Sequence, residues 1–427
     1  MDVEFLKRVI TSQREEMLEL FRRERIVERE VDSSKLKPLL ESHGVLAVIG
    51  VRRAGKTVYT WLLHRGRRFG YINFFDERLS RFGPDDFAPL LRAFYELYGP
   101  DLRHIVLDEP QEAEGWERFV SRLAVSKAVT VTGSSSRLLG GELATALTGR
   151  HVDLIMYPFS FREYLSARGI TLGEGWEYSD RVVASVKAEL RRYVEVGGFP
   201  EALRLGRAVL ASIYGDIVTK DIVLRHGVRN VDAVREAARY LMSNTGGEFT
   251  YSRLRRVAGL RDVHTAKNYV RWMEEASLVL VHRRFSRSVV QQGAAPRKIY
   301  AVDTGLARTA SFSLSEDIGR LMETAVAVEL HRRASYGFAR REFYYWRDRK
   351  GEVDFIVVEA HRPVEAIQVS FVDNLEELPE REGRGLARVS RTLGVGRLTV
   401  ITWDAEGVMH VDGAEVRAVP LWRWLLV

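Results

Sequence analysis

Residues 50–57 read GVRRAGKT. The apolar run HGVLAVIG leads into this stretch, and VYTWLLHR follows it with helical spacing. A glycine-rich loop between a strand and a helix is the setting in which this spacing holds nucleotide phosphates. Gly50 and Gly55 let the backbone curl so that its N–H groups point inward. The helix N-terminus adds the positive end of its dipole. Lys56 is expected to reach the β- and γ-phosphates, and the Thr57 hydroxyl to ligate Mg2+. The expected nucleotide-binding set is Gly50, Arg52, Arg53, Ala54, Gly55, Lys56, Thr57 and Val58, with ATP or ADP and Mg2+ as cofactors.

A second apolar strand, HIVLDEPQE, ends in Asp108 and Glu109. Asp108 at a strand tip can join Thr57 in holding Mg2+, and Glu109 can orient and polarise an attacking water. A third strand, AVTVTGSSSRLL, ends in Thr132, Gly133 and Ser134. The spacing places Ser134 where a small polar residue senses the γ-phosphate. Arg150 lies between a predicted helix and the strand VDLIMY, and can be offered to the nucleotide of a neighbouring subunit in a homo-oligomer.

The segments GVRRAGKT, LDEPQE, TGSSSRLL, LTGR, YPFSFREYL and VGGFPEAL together resemble the AAA+-like ATPases that carry a carboxy-terminal DUF4143 domain, many of them archaeal. The resemblance covers most of the chain and is densest over 44–203. Paired arginines in the phosphate loop are common in that family, so Arg52 and Arg53 need not touch phosphate. One can shield the site or contact a neighbour. The resemblance carries nucleotide roles to Gly50, Gly55, Lys56, Thr57, Asp108 and Glu109.

The chain has 427 residues, enough for two to four domains. It has no cysteine, which excludes disulfides, thiolate metal sites and cysteine nucleophiles. No apolar run reaches the ~20 residues of a membrane helix, and MDVEFLKRVITSQREEMLELF does not read as a secretory signal. The expectation is a cytoplasmic protein with no membrane partner. The formal charge is +7, and it is concentrated. Between Thr250 and Tyr300 stand eleven basic against three acidic residues. Such a patch is the footprint of a surface that meets nucleic acid.

That patch lies in a recognisable order of elements. From Val231 the pattern is helical. RDVHTAKNYVRWMEEASLVL reads as an amphipathic helix with Ala266, Tyr269, Val270 and Met273 inward. LVLVHRRFSRSVVQQGAAPRKIYAVDTGLA reads as two strands with a basic loop. Helix, turn near Gly259, helix and β-ribbon make the plan of a winged helix, whose second helix enters the major groove. DNA contacts are expected from His264, Lys267, Asn268, Arg271, Arg297 and Lys298, mostly to phosphate.

Beyond residue 312, GEVDFIVV followed by AIQVSF resembles the restriction-endonuclease-like fold. In that fold an Asp opens one strand and an E-x-K follows on the next, so that carboxylates hold Mg2+ beside a lysine. Asp354 matches the first acid, with Glu323 and Glu352 as helpers. The E-x-K positions are Gln368, Val369 and Ser370, and alternation puts Glu365 on the other strand face. The expectation is a degenerate nuclease site at Glu323, Glu352, Asp354 and Gln368. NLEELPEREGRGLARVSRTLG reads as a solvated helix, and LWRWLLV as core.

The fold class expected is α/β: a P-loop domain with a parallel sheet over 1–230, a winged helix over 231–312 and a nuclease-like α/β domain over 313–427. The function expected is ATP binding and hydrolysis coupled to DNA binding. The alternatives are a nucleotide-dependent switch on a protein partner, and an ATP-gated metal-dependent nuclease.

Overall fold

A computed structural model describes residues 1–133, 151–311 and 317–427. Ser134 and Arg150, expected to sense or complete the nucleotide site, lie outside the described residues. The chain forms two compact units, Met1–Tyr157 with Ser335–Phe338, and Pro158–Ala334 with Ala339–Val427.

The first unit is built on a five-stranded sheet of β1 (Gly44–Gly50), β2 (Phe69–Asn73), β3 (His104–Asp108), β4 (Ala128–Gly133) and β5 (His151–Met156). The order is β2-β3-β4-β1-β5 and every pairing is parallel. β1 and β4 are buried along their whole length, as a sheet covered on both faces requires. The helix Val3–Arg23 contributes Leu6, Val9 and Ile10 to one core with Ile72, Phe94 and Ile105. Its buried Gln13 donates to the Asn73 carbonyl at 3.0 Å and to Asp76 at 2.8 Å, so the polar residue inside that face is satisfied. The ends of β1, β3 and β4 converge at the carboxyl edge of the sheet, where parallel α/β proteins bind ligands.

The second unit contains β6 (Glu248–Phe249), β7 (Val279–Arg284), β8 (Arg297–Ala301), β9 (Arg341–Asp348), β10 (Gly351–Glu359), β11 (Arg362–Ser370), β12 (Arg397–Thr402), β13 (Gly407–Val411) and β14 (Ala414–Pro420). They form one mixed sheet in the order β13-β14-β12-β11-β10-β9-β7-β8-β6. β7 pairs in parallel with β9 through Arg283↔Tyr344 and Arg284↔Tyr345, and Phe285 N–H donates to the Tyr345 carbonyl at 2.6 Å.

The first compact unit runs to Tyr157 and the second begins at Pro158, and within the second the β7–β8 ribbon shares a sheet with the segment after 312. Backbone pairing between residues 61 positions apart joins what local composition separates. The helix Glu380–Leu393 is not solvated all round: Gly383, Gly385, Leu386, Ala387 and Val389 are buried. Glycine at 385 lets the helix approach the Glu352 carbonyl, which an added Cβ would meet at 3.3 Å. Leu386 and Val389 join Val353, Ile356, Val400 and Val416 in one core. Leu421, Trp422, Leu425 and Leu426 are buried at the end of the chain.

Before the ribbon come the helices Val231–Ser243, Tyr251–Val257 and Val263–Glu275. Thr250 and Asp262 cap the last two by accepting from Arg253 N and Thr265 N. Ala266, Tyr269, Val270 and Met273 are the buried residues of the last helix, as its periodicity predicts. The ribbon loop contains a short helix, Val289–Ala294. Among the described residues no helix is long and apolar enough to cross a membrane.

Candidate functional site

The phosphate-loop residues lie where β1 ends. Gly50 has φ +136°, and an added Cβ there would overlap the Met156 carbonyl on β5. Gly55, at φ +91°, turns the chain into the helix Lys56–Leu63, whose N-terminus carries no side-chain cap. The N–H groups that open a helix point toward its end, where anions are bound. The buried Lys56 Nζ donates to the carbonyls of Gly50 and Val51, both at 3.1 Å. Val51 and Ala54 are buried, Arg52 and Val58 half-buried, and Arg53, at φ +66°, exposed.

Asp108 is buried at the tip of β3 and accepts three hydroxyls. Thr57 Oγ1 donates to its Oδ2 at 2.8 Å, Tyr71 Oη to the same oxygen at 3.0 Å, and Thr132 Oγ1 to Oδ1. Burial, and then the Asp108 charge, push the Tyr71 phenol well above its usual range, so it stays a donor. The structure thus brings Thr57 and Asp108 together, and it turns Thr132 toward Asp108.

Glu109 follows with φ +51°, a left-handed conformation that a non-glycine residue adopts at some cost. Its amide donates to the Thr132 carbonyl at 3.1 Å, and its carboxylate accepts from Gln111. Burial raises its pKa and Asp108 adds to this, while Lys56 and Arg52 oppose it. A carboxyl held in that way is better suited to take a proton than an exposed one.

The donor set fits Mg2+ and a nucleotide polyphosphate. A hydroxyl and a carboxylate adjoin, a lysine lies on the loop, and a helix N-terminus is left uncapped. Sequence reading missed Arg29, whose Nη1 donates to the Ala54 carbonyl at 2.8 Å. Its Nη2 donates to the Tyr157 carbonyl at 2.5 Å and to the Tyr336 hydroxyl at 2.6 Å. Arg29 stands in a stretch without regular periodicity, so only its charge marked it.

In the second unit, Tyr251 gathers basic residues from two elements. The Arg297 guanidinium lies 4.6 Å from its ring centre and Lys267 Nζ 5.8 Å. His264, Lys267 and Arg271 are exposed on one helix, and Asn268 is half-buried with its amide 3.2 Å from His264 Nδ1. Arg271 also lies 3.7 Å from Glu275.

Lys298 departs from the expected DNA-facing set. It is 1% exposed, and its ammonium lies 2.7 Å from Asp354, 2.8 Å from Glu323 and 2.9 Å from Glu352. Alternation along β8 sends Arg297 and Lys298 to opposite faces. The structure therefore does bring Glu323, Glu352, Asp354 and Gln368 together, with Gln368 Nε2 donating to Asp354 Oδ2 at 2.8 Å. Glu365 lies apart from them and accepts from Thr399 at 3.2 Å.

Comparison with known proteins gives three family matches along the chain. Residues 42–165 match a family described as an AAA domain, residues 187–317 a domain of unknown function, DUF8612, and residues 318–408 a second, DUF4143. Residues 42–165 are thus similar to an AAA domain and residues 318–408 to DUF4143, which supports nucleotide binding and hydrolysis. It is 29% identical to the uncharacterized protein MJ1544 of Methanocaldococcus jannaschii, over 96% of this chain and 93% of that one. It is 28% identical to an uncharacterized protein of Haemophilus influenzae, over 93% and 98%. Among solved structures it is similar to the Walker-type ATPase PABY2304 of Pyrococcus abyssi, with 16% identity, a TM-score of 0.43, and coverage of 67% of this chain and 96% of that one. The RuvB Holliday junction branch migration motor of Thermotoga maritima matches at 17% identity and a TM-score of 0.28, over 61% and 91%.

Proposed function

We propose that the protein binds and hydrolyses ATP at the end of β1 and couples its nucleotide state to DNA binding through a winged helix over 231–312. The observation that carries the nucleotide half is the meeting of Thr57 and Asp108 at 2.8 Å beside an uncapped helix N-terminus. In this reading Thr57 and Asp108 hold Mg2+, which neutralises phosphate charge when bound. Lys56 leaves the Gly50 and Val51 carbonyls to meet the phosphates. Glu109 positions a water and accepts its proton, and the backbone after Gly55 presents N–H groups to the phosphate oxygens.

The DNA half rests on Lys267 and Arg271, exposed on one helix, and on Arg297 of the ribbon, which shares the Tyr251 ring with Lys267. Contacts of this type are mainly to phosphate, so binding should weaken steeply with salt and discriminate poorly among sequences. The experiment is steady-state ATP hydrolysis with and without duplex DNA at low salt, for the wild type, Lys56→Ala and the pair Lys267→Glu with Arg271→Glu. Stimulation by DNA that survives in neither variant is the expected result. Turnover indifferent to DNA would remove the DNA half and leave the ATPase half standing.

A protein partner is the second reading, favoured by Val289 and Val290 at the ribbon tip, which are 79% and 81% exposed. In that reading replacing both by Ser leaves DNA stimulation untouched and abolishes capture of the partner. We further propose that the protein is cytoplasmic.

A further inference from the structure

The restriction-endonuclease-like resemblance implies a divalent cation on Asp354 with Glu323 and Glu352. The residues present do not fit that ion. The point that three carboxylates from a helix and β10 share is filled by the Lys298 ammonium, at 2.7, 2.8 and 2.9 Å. Of the three donors of the ammonium, one goes to Asp354 Oδ1 and one to Glu323 Oε1, and Glu352 is held as an ion pair. Asp354 is committed on both oxygens, since its Oδ2 accepts from Gln368 Nε2 at 2.8 Å and from Val369 N at 3.0 Å. Tyr300 Oη donates to Glu323 Oε1 at 2.7 Å, and Arg347 lies 3.8 Å from Glu352. Burial alone would drive the ammonium toward neutrality, but Asp354 and Glu323 hold its pKa well above the usual lysine value. Among the described residues no three His, Asp or Glu side chains are set to share a metal ion.

We propose that Lys298 is the resident cation of this site, standing where the fold resemblance would put a metal, and that the cluster takes a divalent ion only when this ammonium is removed. A second observation shows that an oxygen ligand is in reserve. Gln368 is 7% exposed, and among the described residues its Oε1 has no hydrogen-bond partner, although its Nε2 binds Asp354. Hard cations such as Mn2+ and Mg2+ take oxygens of this kind once a competing positive charge is gone. The ammonium missing from β11, where Ser370 stands, is thus supplied from β8, but it neutralises the carboxylates instead of working beside a metal.

The inference does not depend on the nucleotide site, so the test uses nucleotide-free full-length protein. Mn2+ binding is read by electron paramagnetic resonance, and thermal stability is followed with and without millimolar Mn2+. Wild type and Lys298→Arg are expected to bind no Mn2+ that Glu352→Gln removes, and to show no change in Tm with Mn2+. Lys298→Met, which keeps the length of the side chain without its charge, is expected to bind Mn2+ and to gain several degrees in Tm from it. Adding Asp354→Asn should abolish both effects. If Lys298→Met does not fold alone, refolding in Mn2+ should recover it. Mn2+ held by the wild type and lost in Glu352→Gln would overturn the proposal. So would a Lys298→Met protein that Mn2+ neither binds, stabilises nor rescues.

Discussion

Thr57 and Asp108 are 51 residues apart in sequence and 2.8 Å apart in space, hydroxyl to carboxylate. The hydroxyls of Tyr71 and Thr132 complete the ring of donors around Asp108. Asp108→Asn keeps the size of the side chain and removes its charge. It should lower ATP turnover by at least about 100-fold, the scale of losing one preorganised charge-stabilising group, while a fluorescent nucleotide still binds. Equal loss of binding and turnover would mean that Asp108 shapes the loop and has no role in the chemistry.

Arg29 acts on the same loop from outside it. Its guanidinium holds the Ala54 and Tyr157 carbonyls, and through Ala54 it fixes the approach to Gly55. Arg29→Ala should weaken nucleotide binding about tenfold, the cost of one or two charge-assisted hydrogen bonds. Arg29→Lys should recover only part of this, because an ammonium cannot fork between two carbonyls. The check is a nucleotide titration on each variant, and unchanged affinity in Arg29→Ala would remove the positioning role.

Gly50 and Gly66 both have positive φ, but their surroundings differ. An added Cβ at Gly50 meets the Met156 carbonyl, whereas at Gly66 nothing lies within 4 Å. Gly66→Ala should cost only about 1 kcal/mol, from backbone conformation. Gly50→Ala should cost more than about 2 kcal/mol, since overlap with backbone adds to the strain. Denaturant unfolding of the two variants orders them, and equal losses would contradict the packing argument.

Glu382 gives a pH signature. Burial first, and the Asp354 charge second, raise its pKa from 4.5 to about 7, against a hydrogen bond from Ser370. A folded-state pKa above the unfolded one adds stability that is complete below pH 4.5 and is lost as pH rises through about 7. Glu382→Gln should therefore raise Tm relative to wild type above neutrality, and give no gain near the lower end of that window. A Tm difference that is flat across the range would mean that Glu382 is solvated like an ordinary surface acid.

Much of the nucleotide site could be read from the chain because its signals are local. A buried strand, two glycines and a helix follow one another over 44–63, and the acid pair closes a strand of its own. The inward face of Val263–Glu275 was likewise legible, since helical period alone selects Ala266, Tyr269, Val270 and Met273. Lys298 was not. Alternation says that it faces away from Arg297, but which residues wait on that side depends on β7 finding β9. That pairing carries no local mark, and neither does the packing of Glu382 beside Ser370. The basic count over 250–300 therefore included one charge that never reaches solvent.

The seam between β7 and β9 has a consequence for how this chain can be divided. Cutting at 312/313, where the DUF4143 match begins nearby, would leave two fragments, each with a bare strand edge. One would also carry a stranded ammonium, and the other three carboxylates without their counter-charge. Neither piece is a module that could be lent to another protein and keep its shape. The ribbon and the carboxy-terminal sheet share one set of backbone pairings, and a change in one is a constraint on the other.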